Sequence, residues 1–135
     1  MPIHREPAES PLDEGLAKTY PLILTTGGRD VNFLHSGFRQ IERLRKKRLH
    51  PAVQMNPSNA REIGIADGAM VTVETRVGSI EIMAEVTEDI LPGVVHIPHG
   101  WEEANVNFLT DSRSADPVTG FPGFKAMLCR IHQAT

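Results

Sequence analysis

Two runs of alternating apolar and polar residues, joined by a short glycine turn, constrain the fold of this chain more than any other feature. In residues 70–76, Val71 and Val73 alternate with polar neighbours, and residues 80–86 resume the same period after the turn at Gly78. A period of two places successive side chains on opposite faces of a strand, so each run predicts a strand with one buried face. Together they predict an antiparallel β-hairpin.

Four further short apolar runs predict additional strands, and these are residues 21–24, 52–55, 94–97 and 125–131. Before the hairpin, Asn56 as N-cap and Pro57 at the first helical position predict a short helix, which Gly64 ends as a left-handed cap. Six short strands in a chain of 135 residues favour a closed barrel, because closure removes exposed strand edges. The predicted fold class is therefore mainly β, a six-stranded barrel with one or two short helices.

Composition and charge exclude several classes of protein. The net charge of -3 provides no overall basic field for binding nucleic acid. The single cysteine, Cys129, excludes an internal disulfide and a multi-cysteine metal site or iron–sulfur cluster within this chain. No apolar run approaches the length of a membrane span, and the first residues lack the apolar core of a signal peptide. We expect one domain with no nucleic-acid partner and no direct membrane contact.

Residues 1–19 differ from the rest of the chain. Pro2, Pro7 and Pro11 interrupt an acidic, polar stretch that has no periodic apolar face. Such a composition does not repay its ordering entropy unless it lies along another surface. It predicts either a linker from a preceding domain or a frayed terminus, with the barrel occupying residues 20–135.

The loop after the first predicted strand has the composition of an anion or polar-ring site. Gly27 and Gly28 allow positive φ angles and close approach of a ligand to backbone amides, and Arg29 adds a guanidinium. The spacing of apolar residues in 36–49 predicts one or two helical turns with Ser36 as N-cap. Arg39 lies one turn further and could reach the same anion. For most of the basic residues that follow, a solvated face is the simpler interpretation.

A long irregular segment, residues 98–124, precedes the last predicted strand. It contains His99, Trp101, Asn105 and Asn107. Loops of this length in a compact domain are usually functional or disordered, and its tryptophan, asparagines and turn residues argue against disorder. Asparagine amides offer the donor and acceptor that a pterin or guanine edge requires. They could equally satisfy backbone groups of the loop itself, and composition leaves both interpretations open.

The order and spacing of several short motifs over residues 20–131 resemble a known family. The motifs are residues 20–27, His35-Ser36, Asn56-Pro57, Gly64-Ile65, Asp67-Gly68, Pro92-Gly93, His99-Gly100-Trp101, residues 105–110, Asp116-Pro117 and Lys125. This pattern resembles the C-terminal molybdopterin dinucleotide-binding domain of molybdenum and tungsten oxidoreductases of the dimethyl-sulfoxide-reductase type. The residues in these motifs are most similar to those of the family branch that contains the thiosulfate and polysulfide reductases.

The resemblance implies a double-psi β-barrel that helps to cap a bis-molybdopterin guanine dinucleotide cofactor carrying molybdenum or tungsten. The cofactor would be bound jointly with domains absent from this chain. The implied partners are the preceding catalytic domains of a parent enzyme and iron–sulfur electron-transfer subunits. The isolated chain is not expected to be catalytic, because the metal ligand of such enzymes lies in earlier domains. The compartment is not determined, with the cytoplasm favoured over the periplasm.

The resemblance and the loop chemistry together give a set of cofactor-binding residues and no catalytic or metal-ligating residue. The set is Thr26, Gly27, Gly28, Arg29, His35, Ser36, Arg39, His99, Trp101, Asn105, Asn107 and Lys125. One departure from the family pattern is the pair Gly27-Gly28, because many relatives have a single glycine before the arginine.

Other interpretations remain open at this point. One is a free-standing small subunit, similar to the molybdopterin-binding subunit of formylmethanofuran dehydrogenases. Another is a non-catalytic barrel that binds protein or nucleic acid through the basic segment 39–48. A zinc site formed by His35, His96 and His99 and self-cleavage at Gly78-Ser79 are weaker alternatives.

Overall fold

A computed structural model of the chain describes residues 3–4, 6–125 and 127–134. Pro2 of the predicted tail and Ala126 of the last predicted strand lie outside the described residues. The elements are α1 (Glu14–Thr19), β1 (Leu22–Thr25), α2 (Glu42–Arg45), β2 (Ala52–Met55), α3 (Pro57–Glu62), β3 (Met70–Glu74), β4 (Ser79–Val86), β5 (Val94–His96) and β6 (Met127–Gln133). Two 3₁₀ helices, Val106–Leu109 and Ser112–Ser114, lie between β5 and β6.

The six strands form one closed barrel in the order β1-β5-β2-β4-β3-β6. β1 pairs in parallel with β5, and β2 pairs in parallel with β4. The remaining pairs are antiparallel, and the β1–β6 pair closes the barrel. The predicted six-stranded double-psi β-barrel is confirmed.

The hairpin predicted from the alternating runs is also present. In its register, Val71 faces Ile82 and Val73 faces Ile80, and all four side chains are buried. The helix prediction was equally accurate, since the Asn56 side chain accepts a hydrogen bond from the Ser58 amide at the start of α3. The apolar interior of the barrel contains, among others, Leu24, Val53, Met55, Val71, Val73, Ile82, Val95, Ile97 and Cys129.

A helical turn follows Ser36 as predicted, but its predicted start at Ser36 is wrong. α2 is a single turn at Glu42–Arg45, and its N-cap position is Ile41, which makes no capping side-chain hydrogen bond. The reason lies in the backbone before it. His35 and Phe38 have φ angles of 54° and 70°, values that an α-helix does not allow. A tight turn therefore occupies the position where the periodicity predicted a helix.

The N-terminal segment contains structure that periodicity did not predict. α1 begins after Asp13, whose side chain accepts hydrogen bonds from the amides of Gly15 and Leu16. Further upstream, the side chain of Glu9 is buried against the barrel. The assignment of residues 1–19 as a linker stays a prediction. Within the described ranges, none of the helices combines the length and apolar character needed to cross a lipid bilayer.

Candidate functional site

The strand topology gathers three chain segments at one rim of the barrel. Because β1 and β5 are parallel, the segments that follow them leave from the same end, and β6, antiparallel to β1, begins there. Backbone hydrogen bonds join the segments. The Thr26 amide donates to the Phe124 carbonyl over 2.7 Å, and the His99 amide donates to the Gly28 carbonyl over 3.0 Å. Residues that are distant in the sequence therefore share one surface.

The first cleft on this rim has a volume of about 390 Å³. Half of the predicted cofactor-binding residues line this cleft, together with Gly100, Glu102 and Glu103. The predicted residues that it brings together are Ser36, Arg39, His99, Trp101, Asn105 and Asn107.

An aromatic stack orients Arg39 in this cleft. Its guanidinium carbon lies 3.5 Å from the centroid of the Trp101 ring, and Phe33 meets that ring edge-on at 5.9 Å. One terminal nitrogen of Arg39 donates to the carbonyl of Gly100. The Nε atom is buried and has no hydrogen-bond partner among the described residues. The guanidinium is thus held in place by the ring and the carbonyl, and its Nε–H lacks an acceptor among the described residues.

His99 contributes a second buried polar atom without a partner in the described part of the chain, its Nδ1. The ring lies 5.4 Å from the ring of His35 and 5.5 Å from that of Phe124. Burial, reinforced by the nearby charges of His35 and Arg29, lowers the pKa of His99. At neutral pH the imidazole is therefore uncharged and can accept as well as donate a hydrogen bond.

The two asparagines play different roles. The Asn105 side chain accepts a hydrogen bond from the Asn107 amide over 3.1 Å and caps the first 3₁₀ helix, so its oxygen satisfies the loop backbone. Asn107 has an exposed side chain on the cleft, and in the described residues that amide makes no side-chain hydrogen bond. The loop-backbone interpretation therefore holds for Asn105, whereas pairing of Asn107 with a pterin or guanine edge stays a prediction.

The second cleft, of about 350 Å³, is lined by Thr26, Gly27, Lys125 and residues 121–124. Gly27 has a φ of 85°, and a Cβ atom there would lie 3.1 Å from the Phe124 ring. Thr26 is almost fully buried, and its hydroxyl donates to the carbonyl of Ile97 over 2.8 Å. Its side chain thus fastens β1 to the end of β5. The tilted contact between the rings of Phe124 and His99 connects this cleft to the first.

The remaining predicted residues lie beside these two clefts. A Cβ atom on Gly28 would lie 2.7 Å from the His96 ring, which explains why a second glycine follows Gly27. Arg29 is exposed and faces a separate cleft of about 200 Å³ that His96 also lines. His35 is exposed and contacts the ring of His99 edge-on.

An ion-pair network near the rim was missed by sequence reasoning. Arg48 lies 3.0 Å from a carboxylate oxygen of Asp30 and donates to Glu85 over 2.7 Å. Hydrogen bonding to Arg48 lowers the pKa of Glu85. Arg48 therefore does not belong to the solvated basic face predicted for most of segment 39–48. No local pattern identifies its partners, because they lie 18 and 37 positions away in the sequence.

Among the residues that the structure describes, the cysteine and the histidines are not arranged as a metal site. Cys129 is fully buried in β6, and burial raises its pKa to about 12. His96 directs its Nδ1 toward the Thr25 hydroxyl at 3.2 Å. Over residues 3–4, 6–125 and 127–134, no three His, Cys, Asp or Glu side chains converge as metal ligands.

Mild acid is expected to destabilise the barrel through two histidines. Burial lowers the pKa of both His96 and His99, so the unfolded chain binds more protons as the pH falls below the ordinary value of 6.5. The contribution of these two histidines to the free energy of unfolding should be complete above pH 6.5 and should decrease below it. Because partial solvent contact screens each ring, we expect less than about 1 kcal/mol per histidine. Urea unfolding between pH 7.5 and 5 measures this, and a His99→Asn variant should show a smaller dependence. An identical dependence in that variant would contradict the assignment.

Comparison with known proteins gives consistent matches. Residues 22–128 match the family model described as "Molydopterin dinucleotide binding domain". Dopamine dehydroxylase of Eggerthella lenta is 35% identical over 100% of this chain, which covers 14% of that protein. The alpha subunit of the F420-dependent formate dehydrogenase of Methanocaldococcus jannaschii is 36% identical over 96% of this chain, which covers 19% of that subunit.

The structure of acetylene hydratase from Pelobacter acetylenicus is similar over 99% of this chain, with a TM-score of 0.90 and 25% sequence identity. The matched region is 21% of that protein. The chain thus spans between 14% and 21% of the length of these relatives.

Proposed function

Because this chain belongs to the molybdopterin dinucleotide-binding domain family of the molybdopterin oxidoreductases, we propose that its rim forms one wall of a bis-molybdopterin guanine dinucleotide site. The predicted family and the predicted role as a dinucleotide-binding domain are confirmed by the match over residues 22–128. The thiosulfate and polysulfide reductase branch stays a prediction.

One observation carries the proposal: two side chains that line the first cleft, Arg39 and His99, each have a buried polar atom with no hydrogen-bond partner among the described residues. A buried donor or acceptor left unsatisfied costs about 1–3 kcal/mol, which a ligand with matching groups would recover. Arg39 Nε offers a charged donor, and His99 Nδ1 offers a neutral ring nitrogen. This donor set suits phosphate oxygens and the polar edge of a pterin.

The proposed roles follow from position. Arg39 would donate to a phosphate or ring carbonyl oxygen, and His99 would exchange a hydrogen bond with the pterin edge. Asn107, exposed on the same cleft, would pair with that edge through its amide. Lys125, on the second cleft, would attract phosphate. The cofactor, with molybdenum or tungsten, would supply the redox chemistry when bound, whereas these residues would bind and orient it.

The rest of the site would come from other domains of a larger enzyme. Both clefts open on the surface of the barrel, and the relatives are about five to seven times longer than this chain. We therefore propose that preceding catalytic domains cover the rim, that iron–sulfur subunits exchange electrons with the assembled enzyme, and that the isolated chain is not catalytic. The adaptor alternative is weakened by Arg39 and Arg48, since an aromatic stack and ion pairs already engage these side chains.

Removing the two exposed polar side chains tests the proposal. In the whole enzyme, Asn107→Ala and Lys125→Ala should each weaken cofactor retention about tenfold, because each removes one ligand contact without touching the core. Cofactor content after extended dialysis measures this, with turnover as a second readout. Lys18→Ala, an exposed lysine on α1, is the matched control. Wild-type occupancy and turnover in both rim variants would refute the residue assignments.

A further inference from the structure

A buried carboxylate in the N-terminal segment is bonded to the barrel at a seam between strands. Glu9 is 4% exposed and accepts two hydrogen bonds, one from Arg76 over 2.7 Å and one from the Leu128 amide over 2.9 Å. The ladder between β3 and β6 ends at the pair Glu74 and Arg130. Arg76 and Leu128 each lie two positions beyond this pair, and the Glu9 carboxylate joins them in place of a ladder hydrogen bond.

Arg76 also holds the segment that follows Asn107 of the first cleft. A terminal nitrogen of Arg76 donates to Asp111 over 2.8 Å, and Asp111 is 6% exposed. Asp111 in turn accepts from the Arg113 amide and caps the second 3₁₀ helix. Hydrogen bonding to Arg113, together with the charge of Arg76, lowers the pKa of Asp111. The carboxylates of Glu9 and Asp111 are thus joined through one guanidinium.

Residues 105–111, here called the Asn wall, are fastened to the β3–β4 turn at several points. The Thr75 hydroxyl donates to the Leu109 carbonyl over 3.1 Å. A Cβ atom on Gly78 would lie 2.5 Å from the Phe108 carbonyl oxygen, so the two backbones are in direct contact. The Asn wall carries Asn105 and Asn107 on the first cleft. Its position therefore depends on the turn that contains Arg76.

We propose that Glu9 is a positioning residue for the cofactor cleft, acting through Arg76 and Asp111 on the Asn wall. The inference rests on the proposed function of the rim. It assigns to the N-terminal segment, through which preceding domains would attach, an indirect influence on how the dinucleotide is held. Neither carboxylate touches the cleft, since neither Glu9 nor Asp111 lines it.

The test uses the whole enzyme with Glu9→Gln and, separately, Asp111→Asn. Each amide places an NH₂ group where a carboxylate oxygen accepted hydrogen bonds, so at least one donor loses its partner. Amide hydrogen exchange in residues 106–111 should become about tenfold faster in both variants. The matched control is Glu74→Gln, which removes a carboxylate of the same barrel whose described polar partners are Arg130 and His132 rather than residues of the Asn wall. Unchanged exchange in both network variants, or an equal rise in the control, would overturn the proposal.

Cofactor release then tests whether the effect reaches the cleft. Glu9→Gln should speed dinucleotide release about threefold or more in the wild-type background and much less in Asn107→Ala, because both act through the same wall. Independent, additive effects would overturn the coupling. If Asn107→Ala alone retained the cofactor as tightly as wild type, the proposed function of that residue would fail. The exchange measurement would still decide whether Glu9 positions the Asn wall.

Discussion

Replacing Gly100 by alanine is expected to disrupt the rim strongly. Gly100 has a φ of 91°, in a region where an L-residue costs about 1–2 kcal/mol. The new Cβ atom would lie 2.7 Å from the Cα atom of His35 and 2.9 Å from its carbonyl carbon. Those are backbone atoms, so no side-chain rotation relieves the clash, and the turn that carries His35 must move. Since Arg39 donates to the Gly100 carbonyl, the guanidinium should move with it.

The measurements are urea unfolding of the chain and cofactor retention by the whole enzyme. We expect a loss of about 2–4 kcal/mol in the free energy of unfolding and a large loss of bound cofactor. Gly64→Ala is the matched control, because Gly64 has a φ of 70° but a Cβ atom there would meet nothing within 4 Å. That variant should lose stability only through the positive φ angle, because no steric clash arises, and it should retain the cofactor. Equal destabilisation in the two variants would show that the close approach to His35 has no energetic consequence.

The barrel was predictable because its signals are local. The alternation in residues 70–76 and 80–86 requires one buried face on each strand, and the observed register places Val71 and Val73 inside. Asn56 and Pro57 specify a helix start through their own side chains, whatever the rest of the chain does. Closure then followed from the number of short strands in a small domain.

The rim was predictable only in part, because its geometry depends on contacts between distant residues. The N-cap residue Ser36 and the spacing of the apolar residues after it fit a helix. The backbone nevertheless turns sharply at His35, where it packs against Gly100. Composition identified Asn107 and Arg39 as candidates but gave no sign of the stack of Arg39 on Trp101. Glu9 is the clearest case, since its partners lie 67 and 119 positions away and no local pattern marks a tail glutamate as buried.

Truncating Trp101 should have the second large effect, because this side chain serves both the core and the cleft. Trp101 is 5% exposed, and substitution of such a residue by alanine typically costs about 3–5 kcal/mol. Loss of the ring face also removes a cation–π contact of about 0.5–2 kcal/mol with Arg39. Circular dichroism during urea unfolding follows the stability loss, since the variant lacks the only tryptophan.

Trp101→Phe separates the two roles of the ring. Phenylalanine keeps an aromatic face for the guanidinium and an edge contact for Phe33 but fills less volume. We therefore expect partial destabilisation with cofactor retention close to wild type in the phenylalanine variant. The alanine variant should lose cofactor even where it remains folded, because Arg39 is no longer held against the ring face beside the cleft. If both variants retained cofactor equally, the orientation of Arg39 by Trp101 would not contribute to binding, and the aromatic stack would serve only the packing of the barrel rim.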